Sequence, residues 1–366
     1  MSLRIGVNAL YLIPGGVGGT EIYLRSLLAT LAEIDRDNQY FIFTNRETAS
    51  DLVPAQANFT HVPQPVRAVS RPARLLWEQT LLPLAVVSRR IDVLLNPGFT
   101  APILCGCPQV TVFHDVQHKM HPEYFRWFEL PFWNFFLFWS IIVSRRVIAS
   151  SDATAHDLRH CYRLPPGNIR TVLAGVDPHC FDLAAQRRPE PFLLAVSTLH
   201  PHKNLDGLLR AFAAFSERHA EYRLVVCGMH GFFTKELHAL RDHLHLADRV
   251  EFPGWVPREQ LYGFYSHAAA FLFPSLFEGF GLPVLEALAA GIPSACSAIE
   301  PMSGIAGAAA LKFDPHNPAD IADAMDRLVT DDDLRQRLAI AGPLRAAQFS
   351  WRATAEGVLD ALRSVC

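Results

Sequence analysis

The chain has 366 residues, half of them apolar and 19% charged, with a formal net charge of −3. That length suits two domains of ordinary size, and the near-neutral charge argues against a broad basic face for nucleic acid. The opening MSLRIGVNAL turns polar and glycine-rich within a dozen residues, so it reads as a first strand and not as a signal peptide.

Short apolar runs alternate with helical stretches along the whole chain. In the first half the strand-like runs are 3–9, 40–44, 92–96, 110–113 and 146–150, with a helix expected from about Thr20 to Ile34. A second series runs through 192–197, 223–228, 249–252 and 269–274. Near-continuous apolar strands between helices point to parallel sheets covered on both faces, hence to α/β doubly wound domains. The polar, proline-containing LAAQRRPEP (183–191) suggests domains at 1–185 and 186–349, followed by a final helix capped near Ser350. Open parallel sheets bind ligands beyond the carboxyl ends of their strands, so the loops there are the places to look for chemistry.

The first such loop is PGGVGGTE (14–21). Gly18 and Gly19 permit close approach of a ligand, and Thr20 suits the cap of the next helix, whose free amides favour an anion. It matches neither the dinucleotide fingerprint nor a P-loop. His114–Asp115 ends the strand VTVF, where His114 suits either a hydroxyl contact and proton transfer or a structural role. In STLHPHKN (197–204), Lys203 and His202 stand before a helix start, a place that suits a diphosphate or a solvated turn.

The stretch FPSLFEGFGLPVLEALAAG (273–291) carries the most information. Gly279 and Gly281 open the backbone, Pro283 suits a first helical turn, and the amides at 280–282 form an anion pocket. Carboxylates repel phosphate, so Glu278 and Glu286 suit hydroxyl donors instead. A diphosphate between two polyols meets both demands, and that is the shape of a nucleotide-sugar.

The Asp35-Arg36-Asp37 triplet has the letters of a metal-binding pair but falls between a helix and the next strand, and Asp331–Asp333 looks like a helix start. No essential metal and no cofactor are expected. The seven scattered cysteines read as reduced core residues. LPFWNFFLFWSIIV (130–143) is too short to span a bilayer, which takes roughly 20 residues. It suits either a fully buried helix or one lying on a membrane surface, helped by Arg126, Arg145 and Arg146.

Taken in order, these loops resemble the retaining glycosyltransferases of family 4, which have the GT-B fold of two Rossmann-like domains facing a cleft. The resemblance covers nearly the whole chain, through VTVFHD, ASSDATAHDL, VLAGVD, LLAVSTLHPHKN, VEFPGWVP and the two-glutamate stretch. It implies metal-independent, retaining transfer of a hexose or deoxyhexose from a nucleotide-diphosphate sugar. The acceptor would be a glycan or lipid-linked saccharide, as in the synthesis of bacterial surface polysaccharide or lipopolysaccharide. By the same resemblance His114, Lys203 and Glu278 are catalytic. Thr198, His202, Lys203, Glu278, Gly279, Phe280, Gly281, Leu282 and Glu286 bind the donor, while Gly18, Gly19 and Thr20 form an acceptor/phosphate loop in the acceptor-binding first domain, with Gly18 and Gly19 at the junction of donor and acceptor. The terminal helix 350–366 would pack back on that domain.

Two departures stand out. Thr198 occupies a position where many members have arginine, with His202 beside the lysine, and Met302–Ile305 lacks the usual Pro-Glu pair. Arg67, Arg71 and Arg74 with Trp77 suit a lipid-diphosphate acceptor at the inner face of the cytoplasmic membrane, or a solvated basic loop. A cytoplasmic protein with peripheral membrane contact through 126–146 follows. The alternatives are a sugar-nucleotide epimerase on the same fold or an inactive glycan- or transferase-binding partner.

Overall fold

The computed structural model describes residues 2–48 and 50–366, apart from the side chain of Pro166. It divides into two compact units, Met1–Gly175 with Trp351–Cys366, and Val176–Ser350. The second unit therefore starts at Val176 rather than at 186. The reason is packing: the helix at 179–184 lies on two helices of that unit.

The first unit runs β1 (Arg4–Asn8), α1 (Gly19–Ile34), β2 (Gln39–Thr44), β3 (Phe59–Pro63), α2 (Arg71–Ser88), β4 (Val93–Asn96) and β5 (Gln109–Phe113). It continues with α3 (Gln117–Met120), α4 (Leu130–Val143), β6 (Arg146–Ala149), α5 (Asp152–Tyr162) and β7 (Ile169–Thr171). Its seven strands are ordered β3-β2-β1-β4-β5-β6-β7, with every pairing parallel. The chain winds outward from β1 in both directions, so the strand order reverses between β1 and β4.

The second unit runs α6 (His179–Ala184), β8 (Glu190–Val196), α7 (Leu205–Ser216), β9 (Arg223–Cys227), α8 (Thr234–His243), β10 (Val250–Gly254) and α9 (Arg258–His267). Then come β11 (Ala268–Phe273), α10 (Leu282–Ala289), β12 (Ser294–Ser297), α11 (Met302–Ala306), β13 (Leu311–Phe313), α12 (Pro318–Thr330) and α13 (Asp332–Ala346). Its six parallel strands are ordered β10-β9-β8-β11-β12-β13, reversing between β8 and β11. The final helix, α14 (Trp351–Arg363), packs on α1 in the first unit.

The burial patterns explain why these segments became strands. In β4 and β5 every residue is buried, as a sheet covered on both faces requires. The second unit's core is an apolar layer of Leu208, Phe212, Leu224, Val226, Leu272 and Met325 and their neighbours. Asp331 caps α13 by accepting from the Leu334 amide, as a helix-start aspartate should.

Three expectations are corrected here. Thr20 is not a cap: Gly18 holds that position with φ 59°, a backbone conformation that suits glycine, and Thr20 Oγ1 donates to the Val17 carbonyl from inside α1. Helix α4 is not fully buried. Only Leu137, Ser140 and Ile141 are buried, while Phe135, Phe138 and Ile142 face outward. Nor are all the cysteines core residues. Cys105, Cys107 and Cys161 are half-buried and Cys366 is exposed, because the first two lie in the β4–β5 loop and the last ends the chain.

Candidate active site

The crevice beyond a doubly wound sheet opens where the strand order reverses. In the second unit that is between β8 and β11. The loop after β8 carries Thr198, His202 and Lys203, and the loop after β11 carries Glu278 to Gly281. The two loops are bound to each other. Lys203 Nζ donates to Glu278 Oε1 at 2.6 Å, with only 16% and 11% of the two side chains exposed. The Leu276 amide donates to the His202 carbonyl, and Asn204 Nδ2 donates to the Pro274 carbonyl. The ring of His202 stacks on that of His200, 5.8 Å between centroids.

Both loops need special backbone. Asn204 takes a left-handed conformation ahead of α7, and Gly281 does so at φ 106° as the cap of α10. Thr198 lies beside Gly228, where a side-chain carbon would fall 1.9 Å from the Ser197 carbonyl oxygen, so only glycine lets the β8 loop pass. Helix α10 has Pro283 in its first turn, and the Val284 amide closes on the Gly281 carbonyl. The amides of Gly281 and Leu282 precede the first amide that donates within the helix, that of Val284, which leaves the helix start suited to an anion. Met302, in the stretch lacking the Pro-Glu pair, approaches Gly281 from α11, 3.4 Å from where a side-chain carbon would stand.

Glu286 projects from the second turn of α10 and is only 3% exposed. Its Oε1 accepts from Arg258 Nη2 at 2.6 Å and its Oε2 from the Tyr265 hydroxyl at 2.8 Å. Arg258 also donates to Asp177 at 2.9 Å, and Asp177 accepts from the Tyr262 hydroxyl. Burial alone would lower the Arg258 pKa; the Glu286 carboxylate outweighs it and holds the guanidinium above its ordinary value. Burial would raise Asp177, but the Tyr262 and Arg258 hydrogen bonds pull it below the usual carboxylate range. This network was not foreseen. Asp177 stands in the VLAGVD stretch and Arg258 directly after VEFPGWVP, so both were within view, yet no spacing links them to Glu286.

In the first unit the reversal lies between β1 and β4. Gly15 donates its amide to Glu21 Oε2 at 2.7 Å, so an acid of α1 already occupies one loop donor. Gly19 is the first residue of α1. His114, after β5, bonds through Nε2 to the Pro97 carbonyl at 2.9 Å. A carbonyl only accepts, so Nε2 carries the proton and Nδ1 is left as an acceptor. Burial pushes the His114 pKa down to about 4, and the imidazole is neutral at pH 7. Tyr23 and Phe99 meet its ring edge-on at 4.9 and 5.2 Å, and the buried Tyr23 hydroxyl has no partner among the described residues.

Asp35 is committed to structure, accepting from the Tyr40 hydroxyl and Asn38. Among the described residues no group of three or more His, Cys, Asp or Glu side chains is placed to hold a metal.

The family model described as Glycosyltransferase Family 4 matches residues 17–179, and that described as Glycosyl transferases group 1 matches residues 184–345. The chain belongs to glycosyltransferase family 4. Its O-antigen chain mannosyltransferase B relative from Escherichia coli is 29% identical over 253 residues, covering 66% of each chain. The D-inositol 3-phosphate glycosyltransferase of Corynebacterium jeikeium is 34% identical over 232 residues, 58% of this chain and 55% of that one. The chain thus spans between about half and two thirds of these curated relatives. Among solved structures, sucrose-phosphate synthase from Thermosynechococcus elongatus superposes with a TM-score of 0.80 at 20% identity, over 99% and 98% of the two chains. WaaG, a glycosyltransferase involved in lipopolysaccharide biosynthesis, gives 0.77 at 17%, over 98% and 99%. These likenesses establish the GT-B fold of this family-4 member.

Proposed function

We propose that this family-4 protein transfers a hexose or deoxyhexose, with retained anomeric configuration and without a metal, from a nucleotide-diphosphate sugar to a saccharide acceptor. The observation that carries the reading is the Lys203–Glu278 pair joining the two loops of the β8/β11 crevice beside the α10 amides. In this reading Lys203 and the amides of Gly281 and Leu282 take the diphosphate, with His202 and Thr198 at its edge. Glu278, Gly279 and Phe280 meet the sugar, and Glu286 accepts from the ribose. Carboxylate oxygens have further lone pairs beyond the ones Arg258 and Tyr265 use.

As the bond from the anomeric carbon to the diphosphate oxygen breaks, negative charge grows on the leaving group, where fixed donors stabilise it. The acceptor hydroxyl attacks the same face and passes its proton to the departing phosphate oxygen. His114, being neutral, serves as a hydrogen-bond acceptor through Nδ1 rather than as an acid.

A mannosyltransferase of O-antigen chains among the relatives supports an acceptor in surface-polysaccharide synthesis. Arg74 supports a phosphate-bearing, lipid-linked one. It is 6% exposed and makes no hydrogen bond or close ion pair among the described residues, and the buried Glu78 carboxylate one turn along α2 offsets the cost of its burial only in part.

The test is a thermal-shift screen against UDP-, GDP- and dTDP-sugars, followed by mass analysis of products with a saccharide acceptor. A cognate donor should raise the melting temperature by mass action. Release of nucleotide and free epimerised sugar without an acceptor would replace transfer by epimerisation. A protein that no nucleotide-sugar stabilises would be a binding partner and not an enzyme.

A further inference from the structure

Helices α2 and α4 cover the same face of the first sheet. Leu94 pairs in register with Gln109, and Phe113 with Ala149, so the residues under both helices point one way. Leu82 and Val86 of α2 pack on Phe43 and Leu94, while Leu137 and Ile141 of α4 pack on Phe113 and Val147. The segment 101–103 links the helices at mid-length. Gln79 of α2 bonds to the Ala101 carbonyl and the Ile103 amide, and the Ala101 amide donates to Ser140 of α4.

Their outward faces are apolar and almost without charge. On α2, Leu76, Leu84 and Val87 form one stripe, exposed by 60–67%, and the only charges between Arg71 and Arg89 are the buried Arg74 and Glu78. On α4 no residue is charged, and Phe135, Phe138 and Ile142 form a second stripe, exposed by 44–53%. Leu104, two residues before the Gly106 that lies against Val87, adds an exposed apolar side chain, and Trp127, 83% exposed, adds another before α4. Single exposed apolar residues are ordinary on any surface, but two adjacent helical stripes are not.

The rim is basic. Segments 67–90 and 126–146 hold eight arginines and two glutamates in a chain of net charge −3. Arg67, Arg90, Arg126 and Arg145 are exposed around the apolar stripes. A second copy docked by the same face would set arginine rim against arginine rim. A bilayer with anionic headgroups instead offers hydrocarbon to the stripes, phosphates to the rim and an interface for Trp127. Helix α4, with 14 residues, is about 21 Å long, and no described helix is long and apolar enough to cross a membrane.

We infer that the α2–α4 face is a docking surface for a membrane carrying anionic lipids, on which the two helices lie flat. The inference extends the 126–146 segment to α2 and Leu104. It stands apart from the transfer reading, because lipid binding needs no donor.

The test is flotation of the full chain with vesicles of phosphatidylglycerol and phosphatidylethanolamine, against phosphatidylcholine alone. The protein should float with the anionic vesicles, and less at high salt. The double substitution Leu84→Glu and Ile142→Glu should lower the partition coefficient at least tenfold with an unchanged melting curve. Leu104→Ser with Trp127→Ser, outside the helices, should lower it several-fold. Arg90→Glu with Arg126→Glu should remove the preference for anionic vesicles. No flotation with anionic vesicles overturns the inference. So does flotation indifferent to the Leu84 and Ile142 changes, or light scattering that shows a dimer dissolved by them.

Discussion

Replacing Arg258 by methionine tests the network around Glu286 most directly. The substitution keeps most of the side-chain volume and removes the 2.6 Å ion pair to Glu286 and the 2.9 Å pair to Asp177. Asp177 keeps the Tyr262 hydroxyl and the His179 amide. Among the described residues Glu286 keeps only the Tyr265 hydroxyl, and it sits 3% exposed. Breaking a buried pair on one side typically costs about 3–5 kcal/mol, because the remaining charge is stranded. Urea midpoints followed by circular dichroism should fall accordingly.

The pH dependence gives the cause away. A stranded buried carboxylate has a folded pKa above its unfolded value of about 4.3. Below that value both states hold the proton and the variant loses least. As pH rises towards 7 the unfolded chain gives up its proton while the folded one retains it. The deficit relative to the unsubstituted protein should therefore grow, by at most about 1.4 kcal/mol per unit. Adding Glu286→Gln to Arg258→Met should recover much of the loss and flatten the profile, a non-additivity expected of contacting residues. A loss below about 1 kcal/mol, or one that does not change with pH, would refute the reasoning.

Other predictions follow from the same geometry. Lys203→Ala should lower transfer by about 10²–10³-fold, the size seen when one donor to developing charge is removed; full turnover would end its assigned role. His114 has a folded pKa of about 4 against 6.5 unfolded, so the protein should lose stability as pH falls from 6.5 towards 4. In His114→Asn that part of the slope should vanish, and an unchanged slope in a denaturation series would count against the buried neutral imidazole. Arg74→Met should raise the KM for a phosphate-linked acceptor about tenfold and leave donor affinity unchanged, a split that steady-state kinetics reads directly.

The sheets were legible where burial was written as long apolar runs, as in β5 or β11. Strands β3, β7, β12 and β13 were not. FTHVP alternates with polar residues, IRT and LKF have three residues each, and SACS is small and half hydroxyl-bearing. These segments become strands because a neighbour offers hydrogen bonds, which no local pattern records. The aromatic segment was legible as a helix, but its orientation was not, since a helix apolar on every side carries no phase to say which face meets the sheet. In the site, the glycine bend and both loops could be read because special backbone needs special residues. The Arg258–Glu286–Asp177 network could not, because it is assembled from three separate elements that meet only when the second unit folds.

Lys203 and Glu278 would, in the proposed reading, serve different parts of one ligand, yet in the structure each is the other's partner. The two statements are compatible. An ammonium has three donors, and Glu278 uses one, so two remain for phosphate oxygens. Before a donor binds, the carboxylate keeps a largely buried cation from standing alone, a state that costs several kcal/mol. In that reading, with a donor bound, the same contact would aim Lys203 across the reversal between β8 and β11, where the two loops converge. Glu278 then has a free oxygen for the sugar while its other oxygen fixes the lysine. In this reading an acid can sit beside an anion site without defeating it, because its charge is already spent on the lysine.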